Sequence, residues 1–150
     1  MGKARKKAVL LMFSAVFLVS LDRFFKILAL DYFLKKYAII GNILSFQLAQ
    51  NYNIAFSLPL SGYLLNILII AIIAVLIYFL FILARKKQYQ SALCLAFILF
   101  GAISNMIDRL KFGYVIDYLD LKYFTVFNIA DIMIVGGAIG LIFLAYKKTA

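Results

Sequence analysis

Apolar and polar positions along this chain are not mixed evenly but fall into long apolar runs separated by short polar ones. Crossing about 30 Å of hydrocarbon takes roughly 20 helical residues. Four segments meet that length, at about residues 8–30, 62–84, 89–107 and 126–146. The cleanest, "GYLLNILIIAIIAVLIYFLFILA" from Gly62, carries no charge; the first is interrupted by "DRFFK", so its unbroken apolar part stops at Leu21. A Lys-rich start before an apolar stretch resembles a signal peptide, but no small-x-small cleavage pattern precedes Asp22, which predicts an uncleaved first helix. Between the spans, "LSFQLAQNYNIAFSL" alternates in part with a period of two, which predicts short strands on the membrane surface. "RLKFGYVIDYLDLKYFTVF" is rich in Tyr and Phe, as expected of rings held at headgroup level. No internal repeat, low-complexity tract or second domain is visible. The expected fold is an all-α membrane protein of one domain over residues 1–150: a four-transmembrane-helix bundle with a small extracytoplasmic β-containing cap and a short extracytoplasmic helix or loop.

Composition agrees with this reading. The chain is 67% hydrophobic with one Pro, far too apolar to be stable with its surface in water. Its net charge of +10 would suit nucleic acid, yet the 16 Lys and Arg sit mostly in clusters beside apolar runs, so no nucleic-acid partner is expected. With four spans, "KARKK", "RKK" at 85–87 and "KK" at 147–148 fall on one side. Cationic flanks are retained in the cytoplasm, so both termini are predicted to be cytoplasmic. The loops at roughly 31–61 and 108–125 then face outward.

The absence of His removes Ser-His-Asp triads, Cys-His dyads and His-ligated metals, and no metal or other cofactor is expected. Cys94 is a lone thiol within an apolar run, read as packing. The only acids are Asp22, Asp31, Asp108, Asp117, Asp120 and Asp131, and the topology puts all of them on the outward side. An Asp inside a bilayer costs about 2.5 kcal/mol or more, so such residues usually face the bundle interior and serve a function. Asp131 lies near the mouth of the last span with Asn128 three positions earlier on the same face. One reading of the two is a helix cap, Asn128 capping and Asp131 favoured by the positive end of the dipole. The other pairs Asp131 with Asp117, fourteen positions earlier (131 − 117 = 14) in "GYVIDY", where Gly113 permits a returning turn. Two carboxylates in a partly dry site do not both ionise easily, so one holds a proton and the other acts as a base on water.

"LDRFFK", "NYNIAFS", "GAISNMIDRL", "GYVIDY" and "FNIAD" together resemble, in order and spacing, the prolipoprotein signal peptidases of the signal peptidase II family, over nearly the whole chain. The resemblance implies an aspartic endopeptidase of the bacterial cytoplasmic membrane that cuts the signal peptide just before a diacylglyceryl-modified cysteine. The catalytic pair it implies is Asp117 and Asp131. Asn51, Asn105, Asp108, Arg109 and Asn128 match positions that would bind substrate, and Asp22, Lys26 and Ala130 match supporting ones. The implied partners are a diacylglyceryl-modified prolipoprotein, membrane lipid and the cyclic peptide inhibitor globomycin, and one chain suffices for the site, so a monomer is expected.

Several of these residues have structural readings too. Asp22 and Lys26 are an i,i+4 pair suited to a bridge. Asp108 and Arg109 suit pairing at the membrane edge, and Asn51 and Asn105 suit turns or helix ends. Asn53 and Ser104 stand where the family usually has Gly. Asn tolerates a left-handed backbone, and Ser keeps a small residue where helices approach closely. Outward segments around residues 45–57 are expected to close over a bound peptide. A different class, a small proton-coupled transporter or channel, would want ionisable groups at the midplane or on both sides, and the inner halves of these spans carry none.

Overall fold

The computed structural model describes residues 3–32, 36–52 and 63–149. In chain order the elements are α1 (Lys3–Tyr32), β1 (Tyr37–Ile40), β2 (Leu44–Asn51), α2 (Tyr63–Arg85), α3 (Tyr89–Phe112), β3 (Val115–Leu121), β4 (Val126–Phe127) and α4 (Ile129–Thr149). Asn53, and residues 53–57 of the expected closing segment, lie outside the described residues. Among the described residues, three helices are long and apolar enough to cross a membrane: Tyr63–Arg85, Tyr89–Phe112 and Ile129–Lys147. A small antiparallel sheet, order β1-β2-β3-β4, stands where the sequence predicts a β-containing cap.

Two boundaries differ from expectation. α3 runs on to Phe112, five residues past the predicted end (112 − 107 = 5), so Asp108 and Arg109 lie within a helix. Gly113 then takes φ +81 and its N–H bonds back to Arg109 O at 3.0 Å, the left-handed stop that glycine adopts at no steric cost. α4 starts at Ile129 and not at 126, because Val126 and Phe127 are used as a strand against Asp120 and Leu119.

α3 is the central helix, packed against α1, α2 and α4. α2 buries only Leu65, and residues such as Ile67, Ile70, Val75, Tyr78 and Phe81 are exposed. A helix that is apolar all round suits lipid. On α1 the buried positions Ala15, Asp22, Lys26 and Ala29 recur at spacings of seven, four and three, which is one helical stripe. "DRFFK" therefore continues the helix and turns its charges inward. The sheet packs on this helix through Ala29, Phe46, Ile116 and Tyr118, with Phe46 and Tyr118 stacked at 5.3 Å and Phe25 against Tyr118 at 5.7 Å. Tyr118 is fully buried, unlike the headgroup position expected for the aromatics of its segment, whereas Tyr123 and Phe124 are exposed.

The α3–α4 seam is closed by glycines. A Cβ on Gly101 would stand 2.5 Å from Ala130 O, and one on Gly137 2.5 Å from Cys94 O and 2.7 Å from Ile98 Cγ1. Apolar lipid provides no drive to associate apolar helices, so such close backbone approach supplies the packing. Gly136, next along the helix, has nothing within 4 Å of its Cβ position. Gly137→Ala is expected to lose about 1–3 kcal/mol through overpacking, while Gly136→Ala gains up to about 1 kcal/mol from helix propensity. Thermal unfolding of the two variants in detergent separates them, and equal midpoints would contradict the seam.

Candidate active site

The site forms where the N-terminus of α4 meets β3, α3 and α1. Asn128 precedes α4, and its Oδ1 accepts the Asp131 N–H at 2.9 Å while Asp131 Oδ2 accepts the Asn128 N–H at 3.2 Å. This is a reciprocal capping box with Asp in the usual Glu place. The cap does not exhaust either side chain. Asn128 Nδ2 donates to Asp117 Oδ1 at 2.6 Å, to Asn105 Oδ1 at 3.1 Å and to Ile116 O at 3.3 Å, and Asp131 Oδ1 accepts from Asn105 Nδ2 at 2.8 Å. The two readings of Asn128 and Asp131 open from the sequence are thus compatible, and one asparagine touches both carboxylates.

Asp117 reaches this point because β3 turns back from Gly113 beside α3. Its other oxygen, Oδ2, accepts from Asn51 Nδ2 at 3.0 Å. A bulge makes that possible. β2 pairs Phe46 with Leu119 but Ala49 with Asp117, one extra residue on β2 between them. Ala49 and Asn51 then share the face of Asp117, whereas an unshifted register would have put Gln50 there. Burial pushes the Asp117 carboxyl up to about 7, and the nearby charge of Asp131 adds to this, against the opposing hydrogen bonds from Asn51 and Asn128 and the charge of Lys26.

Beneath the pair lies a buried charge cluster. Lys26 Nζ contacts Asp108 Oδ2 at 2.7 Å, Asn105 Oδ1 at 2.8 Å and Asp22 Oδ2 at 3.0 Å, so the expected i,i+4 bridge is one arm of a larger assembly. Asp108 also takes Arg23 Nη1 at 2.5 Å and the Ile116 N–H at 3.3 Å. Asp22 accepts from Ser104 Oγ at 2.6 Å, from the Tyr118 hydroxyl at 3.0 Å and from the Ala130 N–H at 3.2 Å. The Tyr118 oxygen in turn accepts the Ile129 N–H at 3.1 Å, so with the Asp131 N–H on Asn128 three of the free amides that begin α4 are satisfied by side chains. Burial and the neighbouring Asp22 charge push the Tyr118 hydroxyl well above its usual range.

The site residues expected from the sequence fall in or beside this region. Asp117, Asp131, Asn51, Asn105 and Asn128 are hydrogen-bonded together. Arg109 lies within electrostatic reach of Asp131, Asp117 and Asp108. Asp108 contacts Arg23 and Lys26. Asp22 and Lys26 lie below the pair, and Ala130 is buried against Gly101 and Asp22. Ser104 adds to its small size a hydroxyl bond to Asp22. Sequence reasoning passed over Arg23 and Tyr118. Arg23 lay in plain view between Asp22 and Lys26, and Tyr118 beside Asp117, but nothing local named their partners.

The geometry has known counterparts. A family model described as signal peptidase (SPase) II matches residues 14–147. The lipoprotein signal peptidase of Caldanaerobacter subterraneus subsp. tengcongensis is 40% identical over 136 residues, covering 88% of this chain and 92% of that one. That of Brevibacillus brevis is 33% identical over 134 residues, covering 87% and 89%. A bacterial membrane enzyme solved by the in meso method at 2.3 Å superposes with a TM-score of 0.81 at 25% identity, covering 97% of this chain and 90% of its own. With a family model spanning most of its length and relatives this similar over nearly all of theirs, this chain belongs to the signal peptidase II family.

Proposed function

We propose that this protein is an aspartic endopeptidase that removes signal peptides from diacylglyceryl-modified prolipoproteins, cutting before the lipidated cysteine. The observation that carries the reading is the junction at Asn128: Asp117 from a strand and Asp131 from a helix converge on one side chain, close enough for the charge of one to act on the other. The ionised carboxylate of the pair takes a proton from a water held between them, and the hydroxide attacks the peptide carbonyl carbon. The protonated carboxyl gives its proton to the carbonyl oxygen as the gem-diol forms; the carboxyl that took the water's proton then passes it to the amide nitrogen as the C–N bond breaks, and the gem-diol returns a proton to the other carboxylate, restoring the singly protonated pair. No covalent intermediate forms. Asn51, Asn105 and Arg109 border the pair and orient the peptide, and globomycin competes for the same place.

The setting in the membrane follows from the same reading. α1 is about 45 Å long (30 × 1.5 Å), exposes Phe13, Val16, Phe17, Phe24 and Ile27 and buries Asp22 and Lys26. It serves as a fourth span of a single domain in the bacterial cytoplasmic membrane, with both termini cytoplasmic and the pair on the extracytoplasmic side. A monomer holds the complete site, and the acyl chains of the substrate stay in lipid while its peptide enters.

Purified protein cleaving a diacylglyceryl-modified precursor tests this directly. Asp117→Asn and Asp131→Asn are each expected to lose roughly a thousandfold or more in kcat, and wild-type cleavage by either folded variant would overturn the dyad. The pH profile gives a second test. Asp117 is raised to about 7, so the fraction of the pair holding one proton falls as pH rises through neutrality, and kcat/KM is expected to decline there. The Asn51 hydrogen bond favours the ionised carboxylate, so Asn51→Ala raises Asp117 further and moves that decline to higher pH. A decline moved to lower pH would contradict the assigned geometry.

A further inference from the structure

Lys26 is completely buried, yet its contacts go to Asp22, Asp108 and Asn105 and stop one residue short of the proposed catalytic pair. An ammonium has three donors and no acceptor, and here each donor faces one oxygen. The Asn105 atom that meets Lys26 must therefore be its oxygen. With Oδ1 held there, Nδ2 points the other way and donates to Asp131 Oδ1 at 2.8 Å. Oδ1 of Asn105 also receives Asn128 Nδ2 at 3.1 Å, which sets the second amide: its nitrogen faces Asn105 and Asp117, and its oxygen takes the Asp131 N–H. One cation thus dictates the sense of two neighbouring amides, and each presents N–H to one aspartate.

We infer that Lys26 is a positioning residue for peptide cleavage, acting through Asn105 to aim hydrogen-bond donors at both carboxylates. The inference rests on the aspartic reading given above. Lys26 and Arg23 balance Asp22 and Asp108 in the cluster, and the Lys26 charge also favours the ionised form of Asp117; the positioning role is additional to that charge. That role rests on polarity. A neutral group with an acceptor at this place would let Asn105 turn over and set its oxygen against the Asp131 carboxylate.

The test uses the full-length enzyme in detergent with a diacylglyceryl-modified precursor. Lys26→Met, checked for folding by thermal unfolding, is expected to lower kcat by about 10- to 100-fold, the scale of a misplaced catalytic group, with KM within about twofold. Lys26→Arg, still a donor without acceptors, recovers most of that loss. In an Asn105→Ala background, Lys26→Met costs little more, since residues acting through one another are not additive. If Lys26→Met does not fold, Lys26→Gln replaces it with the same expectations, because it keeps donors for Asp22 and Asp108 but offers Asn105 a carbonyl. A folded variant with wild-type kcat, a loss confined to KM, or full additivity with Asn105→Ala would each overturn the inference. Inactive Asp117→Asn and Asp131→Asn alongside an undisturbed Lys26 series would reject the positioning role alone, whereas active aspartate variants would reject the aspartic reading itself.

Discussion

The buried ammonium of Lys26 is the interaction on which the rest of this structure depends. Taking a charge out of water costs several kcal/mol, and the cost is offset only when opposite charges and hydrogen bonds surround it. Here Asp22 lies on the same helix, Asp108 on α3, and Asn105 one turn before it. The two aspartates reach further, to Ser104 and Arg23 and to the amides of Ile116 and Ala130. A single charge cluster therefore fixes α1, α3, β3 and the start of α4 relative to one another. In a bilayer this matters more than in water, because the apolar faces of the helices gain little by leaving lipid for each other.

On top of that cluster the candidate site is assembled from groups the fold already needs. Asn128 caps α4, and the same amide that closes the cap contacts Asp117. Asp131 lies in the first turn, where the helix accepts negative charge. Asp117 comes from a strand placed by the left-handed Gly113 and kept in register with Asn51 by a bulge. Structural and chemical roles share the same atoms, so helix ends and strand register set the geometry of the carboxylates. The glycine seam between α3 and α4 acts in the same direction, holding Asn105 and Asn128 within hydrogen-bond reach across the helix pair.

Much of the architecture was legible in the sequence because it follows from local periodicity. Uncharged runs of about twenty residues can satisfy their backbone in lipid only as helices, and the partial alternation after Leu44 predicts the strand found at Leu44–Asn51. The candidate residues were legible by elimination and by motif: six aspartates, no histidine, and motifs in register with one family. The ends of elements were less so. α3 passed its predicted end and α4 began late, because Asp108 gains partners on α1 and Val126 gains one on β3. Tyr118 read as an interfacial ring, since its segment's composition does not reveal that alternate positions enter a core.

The sequence by itself determined that this is a membrane chain with short strands, and which few side chains were available for chemistry, because apolar run length, spacing of two and residue type are properties of neighbouring positions. Only the tertiary structure decided which of them meet. The contacts that define the site join residues as far as 79 and 108 positions apart, and they depend on a one-residue bulge, on glycines that let two helices touch, and on the orientation of two amides. Those choices are settled by packing and by the need of buried polar groups for partners, and no local pattern encodes them.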